Sequence, residues 1–134
     1  MAAKDKPYVS GDVFIREDLS REYDADSVLV TNGTGAAYDL KAGQFMTAAA
    51  PTLVAGINAF TGLLVNAVYI PAGESRLCPI IRRFEGLVVN FNMLPTADGA
   101  GASLVASAAT IKTRLDTLGC IWRLEPTLQE EQLK

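Results

Sequence analysis

Few residues in this chain have the types and spacing that catalysis needs. The 134 residues include no histidine, so neither a Ser-His-Asp nor a Cys-His arrangement can be built. A Ser-Lys pair or a carboxylate pair remains, and the carboxylate candidates are Glu17 with Asp18, Asp24 with Asp26, and Glu85 with Asp98. The first two pairs stand in a charge-dense leading segment, whereas catalytic carboxylates need partial burial to separate their pKa values. We predict that the protein is not an enzyme, with carboxylate chemistry at the third pair as the alternative.

The sequence also predicts no cofactor and no metal. Cys78 and Cys120 stand among apolar neighbours, which is typical of small buried hydrophobic residues. A zinc site needs about four ligands. The Gly-rich stretches at Asn32 and Asp98 carry neither a P-loop lysine nor a dinucleotide-binding pattern, so turn chemistry explains both.

Charge is distributed unevenly along the chain. From Ala42 to Gly73 there is no charged side chain, although Lys41 and Glu74 flank the stretch. Glycine, asparagine and threonine interrupt its apolar part, so it falls short of the run of about 20 apolar residues that a membrane span needs. The net charge of −3 and the lack of a basic stripe argue against nucleic-acid and membrane partners. We expect this stretch to be divided between a core and a contact with protein.

The elements that must position these residues are mainly short strands. Turn signals at residues 32–35, 41–43 and 71–75 separate strand candidates, and one helix is indicated. The candidates are Ser27–Thr31 with Ala37–Leu40 as its hairpin partner, Leu53–Ile57, Leu63–Ile70, Pro79–Asn92 and Cys120–Leu124. The helix runs from an N-cap at Ser103 to Gly119, with an apolar stripe at spacings of three and four. The prediction is a mainly β (α+β) fold, a small sandwich or barrel with a helix packed on it.

The chain divides into three regions. Residues 1–26 form a charged leader, residues 27–125 the β-rich body, and residues 126–134 a polar tail. The leader is either a solvated tail or an arm that orders on a partner and adds a strand to an exposed edge. Its apolar islands are Tyr8, Val9, Val13, Phe14 and Ile15. Because the leader lacks an apolar signal-peptide core, we expect synthesis and residence inside a cell.

The central region resembles a known family. The order LVAGINAFTGLLVNAVYIPAGE, PIIRRFEGLVVNFNMLP, a small-residue helix and LGCIWRLEP is similar to the head decoration, or capsid cement, proteins of lambda-type tailed bacteriophages. The resemblance spans roughly residues 27 to 125. It includes the Ala55-Gly56-Ile57 phrase before the charged and apolar strand Arg83 to Val89.

The resemblance implies a structural virion protein. Such proteins form homotrimers on the outside of the expanded head, where they clamp major capsid protein subunits against the pressure of the DNA. The leader contacts the capsid in this family, which makes the apolar islands of residues 1–26 candidate capsid contacts. This leader is more charged than the family pattern, and the chain continues past the last strand. We expect the trimer to form through apolar residues, with Phe60, Leu63, Leu64 and Trp122 as candidates.

The runner-up is a β-rich adaptor or ligand-binding module of the virion. A carbohydrate site needs exposed aromatic rings, and the body offers Tyr38, Phe60, Tyr69 and Trp122. Under either hypothesis the protein is made in the host cytoplasm and resides in the virion.

Overall fold

The computed structural model describes residues 13–15 and 25–124. Within these ranges the chain forms ten strands, one α-helix and three 3-10 helices. The strands are β1 Phe14–Ile15, β2 Ala25–Thr31, β3 Tyr38–Leu40, β4 Phe45–Thr47, β5 Ala50–Pro51, β6 Gly62–Leu64, β7 Val68–Ile70, β8 Ser75–Ile81, β9 Val88–Asn90 and β10 Ile121–Arg123. The helix α1 is Ala108–Leu118, and the 3-10 helices are Val54–Ala59, Phe91–Met93 and Val105–Ser107. The predicted mainly β fold with a helix packed on it is confirmed.

The centre of the molecule is a five-stranded sheet in the order β2-β8-β6-β4-β5. All neighbouring strands in it are antiparallel. Because successive side chains point to opposite faces, the β6–β8 register places Leu63 with Ile81 on one face and Leu64 with Ile80 on the other. All four side chains are buried, so this part of the sheet is covered on both sides.

Each face of the central sheet packs on its own apolar core. One core lies against α1 and the three-stranded sheet β1-β9-β10, in which β10 runs parallel to β9. The other lies against the antiparallel pair β3–β7 and is smaller. The first core contains Phe60 between Phe45 and Phe84, with ring centroids 4.7 and 6.2 Å apart. The fold is therefore a layered β-rich domain with its helix on one side.

The helix has most of the features that the sequence pattern predicts. Ile111 and Leu115 are buried, and Gly119 takes the left-handed conformation with φ 83°. The start differs from the prediction, because α1 begins at Ala108 after a 3-10 turn. The Ser103 hydroxyl accepts a hydrogen bond from the Val105 amide at 3.3 Å, so this serine caps the preceding turn and not α1 itself.

The predicted hairpin between Ser27–Thr31 and Ala37–Leu40 is wrong. β2 pairs with β8 along its full length, and β3 pairs with β7. Buried Asn32 explains the path between them. Its amide donates to the carbonyls of Ala36 and Ile70, and its carbonyl oxygen accepts from the Thr34 amide and hydroxyl. These bonds hold the turn against β7, so the chain leaves β2 for a different sheet.

Three predicted strands also change. Residues 53–57 lie in a 3-10 region, with Ile57 as its buried residue. The segment Leu63–Ile70 is two strands, β6 and β7, in two different sheets. The segment Pro79–Asn92 is likewise two strands, because the chain turns at Gly86 with φ 77° between β8 and β9. Short apolar runs do not by themselves distinguish a continuous strand from an interrupted one.

Candidate interaction surface

Three of the four residues predicted at a trimer contact lie in the protomer's own core. Phe60, Leu63 and Leu64 each have no exposed surface. A side chain that its own subunit covers completely has no surface left for a second subunit. These three candidates are therefore corrected to core residues, and the apolar side chains that could meet a partner lie elsewhere.

Trp122, the fourth candidate, is partly exposed on β10. Its indole N–H donates to Asp116 Oδ1 at 3.0 Å, and Lys112 Nζ lies 4.9 Å from its ring centroid and 5.0 Å from that of Phe91. The two rings pack with centroids 5.8 Å apart. The tryptophan is thus held in a cluster of its own subunit, at a charged part of the surface.

The leader residues divide into two groups. Tyr8 and Val9 lie outside the described residues. Phe14 and Ile15 form β1, which pairs antiparallel with β9, and the side chains of Val13 and Phe14 are buried in the first core. These two side chains therefore serve the protomer's own core, which corrects their assignment as capsid contacts. The body also begins slightly earlier than predicted, because β2 starts at Ala25.

The structure separates the acidic pair that was the alternative catalytic site. Glu85 is exposed beside Gly119 at the end of α1. Asp98 is buried, and its Oδ2 accepts from the Val54 amide at 2.8 Å. Its Oδ1 accepts from the amides of Ala100 and Ala102 at 2.9 and 2.8 Å. This carboxylate fastens one loop to another.

The environment of Asp98 fixes its charge. Burial is the largest influence and would raise the pKa of the carboxyl group. The amides of Val54, Ala102, Ala100 and Gly101 all favour the ionised form, and together they lower the pKa of Asp98 below its ordinary value. The group is therefore an ionised structural anchor at neutral pH, without the raised pKa of a general acid.

The two cysteines are buried and free. Burial, followed by the nearby Asp116 carboxylate, raises the pKa of the Cys120 thiol to about 12. Burial also raises the pKa of Cys78. Among residues 13–15 and 25–124, no group of three cysteine, aspartate or glutamate residues is placed to hold a metal ion. No helix in these same ranges is long and apolar enough to cross a bilayer.

Among the described residues, one face exposes many small and apolar side chains, and the two segments that form it contain no charged residue. Two chain segments form it: residues 48–59, which include the β4–β5 turn and the first 3-10 helix, and residues 101–110, which lead into α1. We call this surface the neutral face. Its exposed residues are Ala48, Ala49, Ala50, Leu53, Val54, Ala55, Gly56, Asn58, Ala59, Gly101, Ala102, Ser103, Val105, Ala106, Ala109 and Thr110.

Several contacts join the two segments of the neutral face. The Val54 amide donates a hydrogen bond to the Asp98 carboxylate, which also accepts one from the Ala102 amide in the 98–102 loop. Gly99 lies so close to Pro51 that a Cβ on it would stand 2.5 Å from the proline Cβ. Asn58 shares a shallow depression with Ala109 and Thr110 of α1, and the half-buried Arg114, whose Nε donates to the Phe60 carbonyl at 3.0 Å, borders it. The neutral face is thus a continuous and internally braced surface.

The most exposed apolar side chains on this face are Val105, at 66% of its accessible area, and Leu53, at 53%. Cores of protein–protein interfaces are depleted in charge, and here the nearest acidic group, Asp98, is buried and bonded. The sequence contained a signal for this: from Gly86 to Ile111 the single charged residue is Asp98. The predicted contact surface included only the first uncharged stretch, Ala42 to Gly73.

Comparison with the models of known families, with curated proteins and with solved structures gave no match. The described residues define a mainly β domain with one helix, in which two neighbouring surface segments contain no charged residue.

Proposed function

We propose that this protein is a structural virion protein: a head decoration protein that binds the outside of an expanded phage head as a trimer and stabilises its lattice of major capsid protein. The observation that carries the proposal is the neutral face. A surface of this kind on an otherwise charged domain suits burial against protein, and a trimer around it would remove it from water.

The sequence resemblance supports the same function from a different direction. The segments that carry it include the first 3-10 helix, where Ala55 and Gly56 are exposed on the neutral face, and the region Arg83 to Val89 that leads into β9. In the resembling family the trimer sits at three-fold and quasi-three-fold positions on the head. The partners of this chain are then two further copies of itself and the major capsid protein.

A pair of charge insertions tests the contact surface. Val105→Glu places a carboxylate on the neutral face, and Leu77→Glu places one on β8, where the side chain is 69% exposed. A charge buried in a subunit contact without a partner costs about 3 kcal/mol or more, which weakens association at least about a hundredfold. We expect the wild type and Leu77→Glu to be trimeric by native mass spectrometry and Val105→Glu to be mostly monomeric at the same concentration.

Cosedimentation with expanded empty heads of the phage that encodes the protein tests the function itself. We expect saturable binding of the wild type and of Leu77→Glu, and binding at least tenfold weaker for Val105→Glu. A folded wild type that fails to bind these heads would contradict the proposal. A monomeric mass together with binding on a glycan array would favour the ligand-binding module instead.

A further inference from the structure

Arg114 is a cation at the border of the neutral face. It lines the shallow depression, about 320 Å³ in volume, that Asn58, Ala109 and Thr110 of the neutral face also line. Its Nε donates to the Phe60 carbonyl at 3.0 Å, and it forms no ion pair with a described residue. No carboxylate of the described residues lines the depression. One backbone bond therefore orients the guanidinium, while its two terminal amino groups stay available to an acceptor.

A carboxylate lies at a different border of the neutral face. Ala50, Leu53 and Gly101 of the neutral face line a groove of about 1060 Å³, and Asp39 of β3 lines the same groove. The Asp39 side chain is exposed and forms no ion pair with a residue in the described part of the chain. The groove and the depression at Arg114 share no lining residue. Opposite charges thus lie beside two different parts of the neutral face.

The other charged residues of the groove do not offer a carboxylate to a partner. Asp98 is buried, and the amides of its own loop and of Val54 occupy both of its oxygens. Lys41 also lines the groove, but it repeats the positive charge of Arg114. Among the described residues that line the groove, Asp39 is therefore the group that can accept from a guanidinium outside the protomer.

We propose that Arg114 of one copy pairs with Asp39 of the next copy around the trimer axis. A cyclic trimer repeats one contact three times, and that contact joins two different parts of the protomer surface. This pairing rests on the proposed function, and it specifies which borders of the neutral face meet. A rim ion pair contributes little to stability. Its role is to select one alignment of the subunits, because other alignments bring like charges together.

Charge reversal on each side tests the pair. Arg114→Glu and Asp39→Arg each bring two like charges together, so each should weaken trimer association at least about tenfold in native mass spectra over a dilution series. The double variant restores opposite charges and should associate within about threefold of the wild type. Asp26→Arg is the control, because it reverses an exposed carboxylate on β2, and it should leave association unchanged.

Cysteine cross-linking measures the proximity directly. Cys78 and Cys120 are buried and burial raises the pKa of both thiols, so they should stay unreactive toward a maleimide. Asp39→Cys combined with Arg114→Cys, treated with a short bismaleimide, should give covalent dimers and trimers on a denaturing gel. Each single variant should give none. If Arg114→Glu does not fold without its bond to Phe60, Asp39→Arg and the cross-link still decide.

The results also separate this pairing from the proposed function. A trimeric wild type whose association is unchanged by Asp39→Arg, or is not restored in a folded double variant, would overturn the pairing alone. Covalent dimers from either single cysteine variant would overturn it as well, because like borders would then meet. A monomeric wild type would overturn both the pairing and the trimer on which it rests.

Discussion

The neutral face and the β2–β8 ribbon expose apolar side chains to a similar degree but differ in charge. On the ribbon, Leu29 and Leu77 are cross-strand neighbours, 55% and 69% exposed. Ion pairs stand at both ends of it, Glu74 with Arg76 at 3.1 Å and Asp26 with Arg82 at 3.8 Å. The two segments of the neutral face have comparable apolar exposure and contain no charged residue, with Arg114 at their border. Exposure of leucine or valine therefore does not by itself mark a contact surface, and the charges around it are the more informative property.

The two regions are also supported differently. The ribbon depends on a regular ladder of seven residue pairs, which tolerates changes to outward side chains. The neutral face depends on irregular loops that pack on the core through Ile57 and are fastened by one buried carboxylate. The stability of the neutral face should thus be concentrated in few residues, whereas that of the ribbon should be spread over its backbone bonds.

The largest effect is expected at Phe60, an aromatic residue of the first core. Phe60→Ala removes a fully buried ring that packs on Phe45 and Phe84, so unfolding should become easier by about 4 kcal/mol. Urea titration measures this, with Tyr69→Ala, 60% exposed, as the control that should change little. A loss that grows as the protein is diluted would instead place Phe60 at a subunit contact and contradict its assignment to the core.

The next effect separates the body from the leader. Phe14 is buried in the first core, so Phe14→Ala should destabilise the isolated protein by about 3 kcal/mol. Thermal unfolding of the isolated protein measures this loss, and Tyr69→Ala, 60% exposed, is the aromatic control with an expected change below about 0.5 kcal/mol. If both substitutions have small and equal effects, Phe14 does not belong to the core. It would then be part of a leader that becomes ordered only when it binds a partner.

Asp98 gives a smaller effect with a pH signature. An asparagine has one carbonyl oxygen for amides that now bond two carboxylate oxygens, so Asp98→Asn should cost about 2 kcal/mol at pH 7. Because the folded pKa lies below the ordinary 3.8, this stability is present above pH 3.8 and is lost as the pH falls through the folded pKa. Urea titrations from pH 7 to pH 2 should show the difference between wild type and variant narrowing at the acid end.

Asp39→Asn, at an exposed position on β3, is the control for this experiment and should follow the wild type throughout. A constant difference between wild type and Asp98→Asn across the whole pH range would mean that the carboxylate charge contributes nothing to holding the two loops together.

The sequence predicted the elements better than their pairing. The strand at Ser27–Thr31, the turn at residues 71–75, the amphipathic helix and its Gly119 terminator all follow from local chemistry, because each depends on residues close together in the chain. The partner of β2 does not, since Thr31 pairs with Ser75, 44 residues away. What redirects the chain is the side chain of Asn32, whose bond to the Ile70 carbonyl joins distant segments.

The same reason explains the misplaced contact residues. Phe60, Leu63 and Leu64 belong to an uncharged stretch that we expected to be divided between a core and a contact with protein, and no local pattern says which residue falls on which side. That depends on β6 being a central strand covered on both faces. The second uncharged segment, residues 99–111, is visible in the sequence as a second long gap between charged residues.

The smallest effect is expected on the ribbon, at the pair of Glu74 and Arg76. Both side chains are about half exposed, so a cycle of Glu74→Gln, Arg76→Met and the double variant should give a coupling below about 0.5 kcal/mol. The coupling should shrink further in 1 M salt, where the Debye length falls to about 3 Å. Urea titration of the four proteins measures it. A coupling above 1 kcal/mol would mean that the ribbon's charges stabilise the fold, as Asp98 does under the neutral face. A small coupling would instead indicate that the ribbon's charges serve to solvate the exposed sheet edge. The charged groups of the two regions would then differ in role as well as in number.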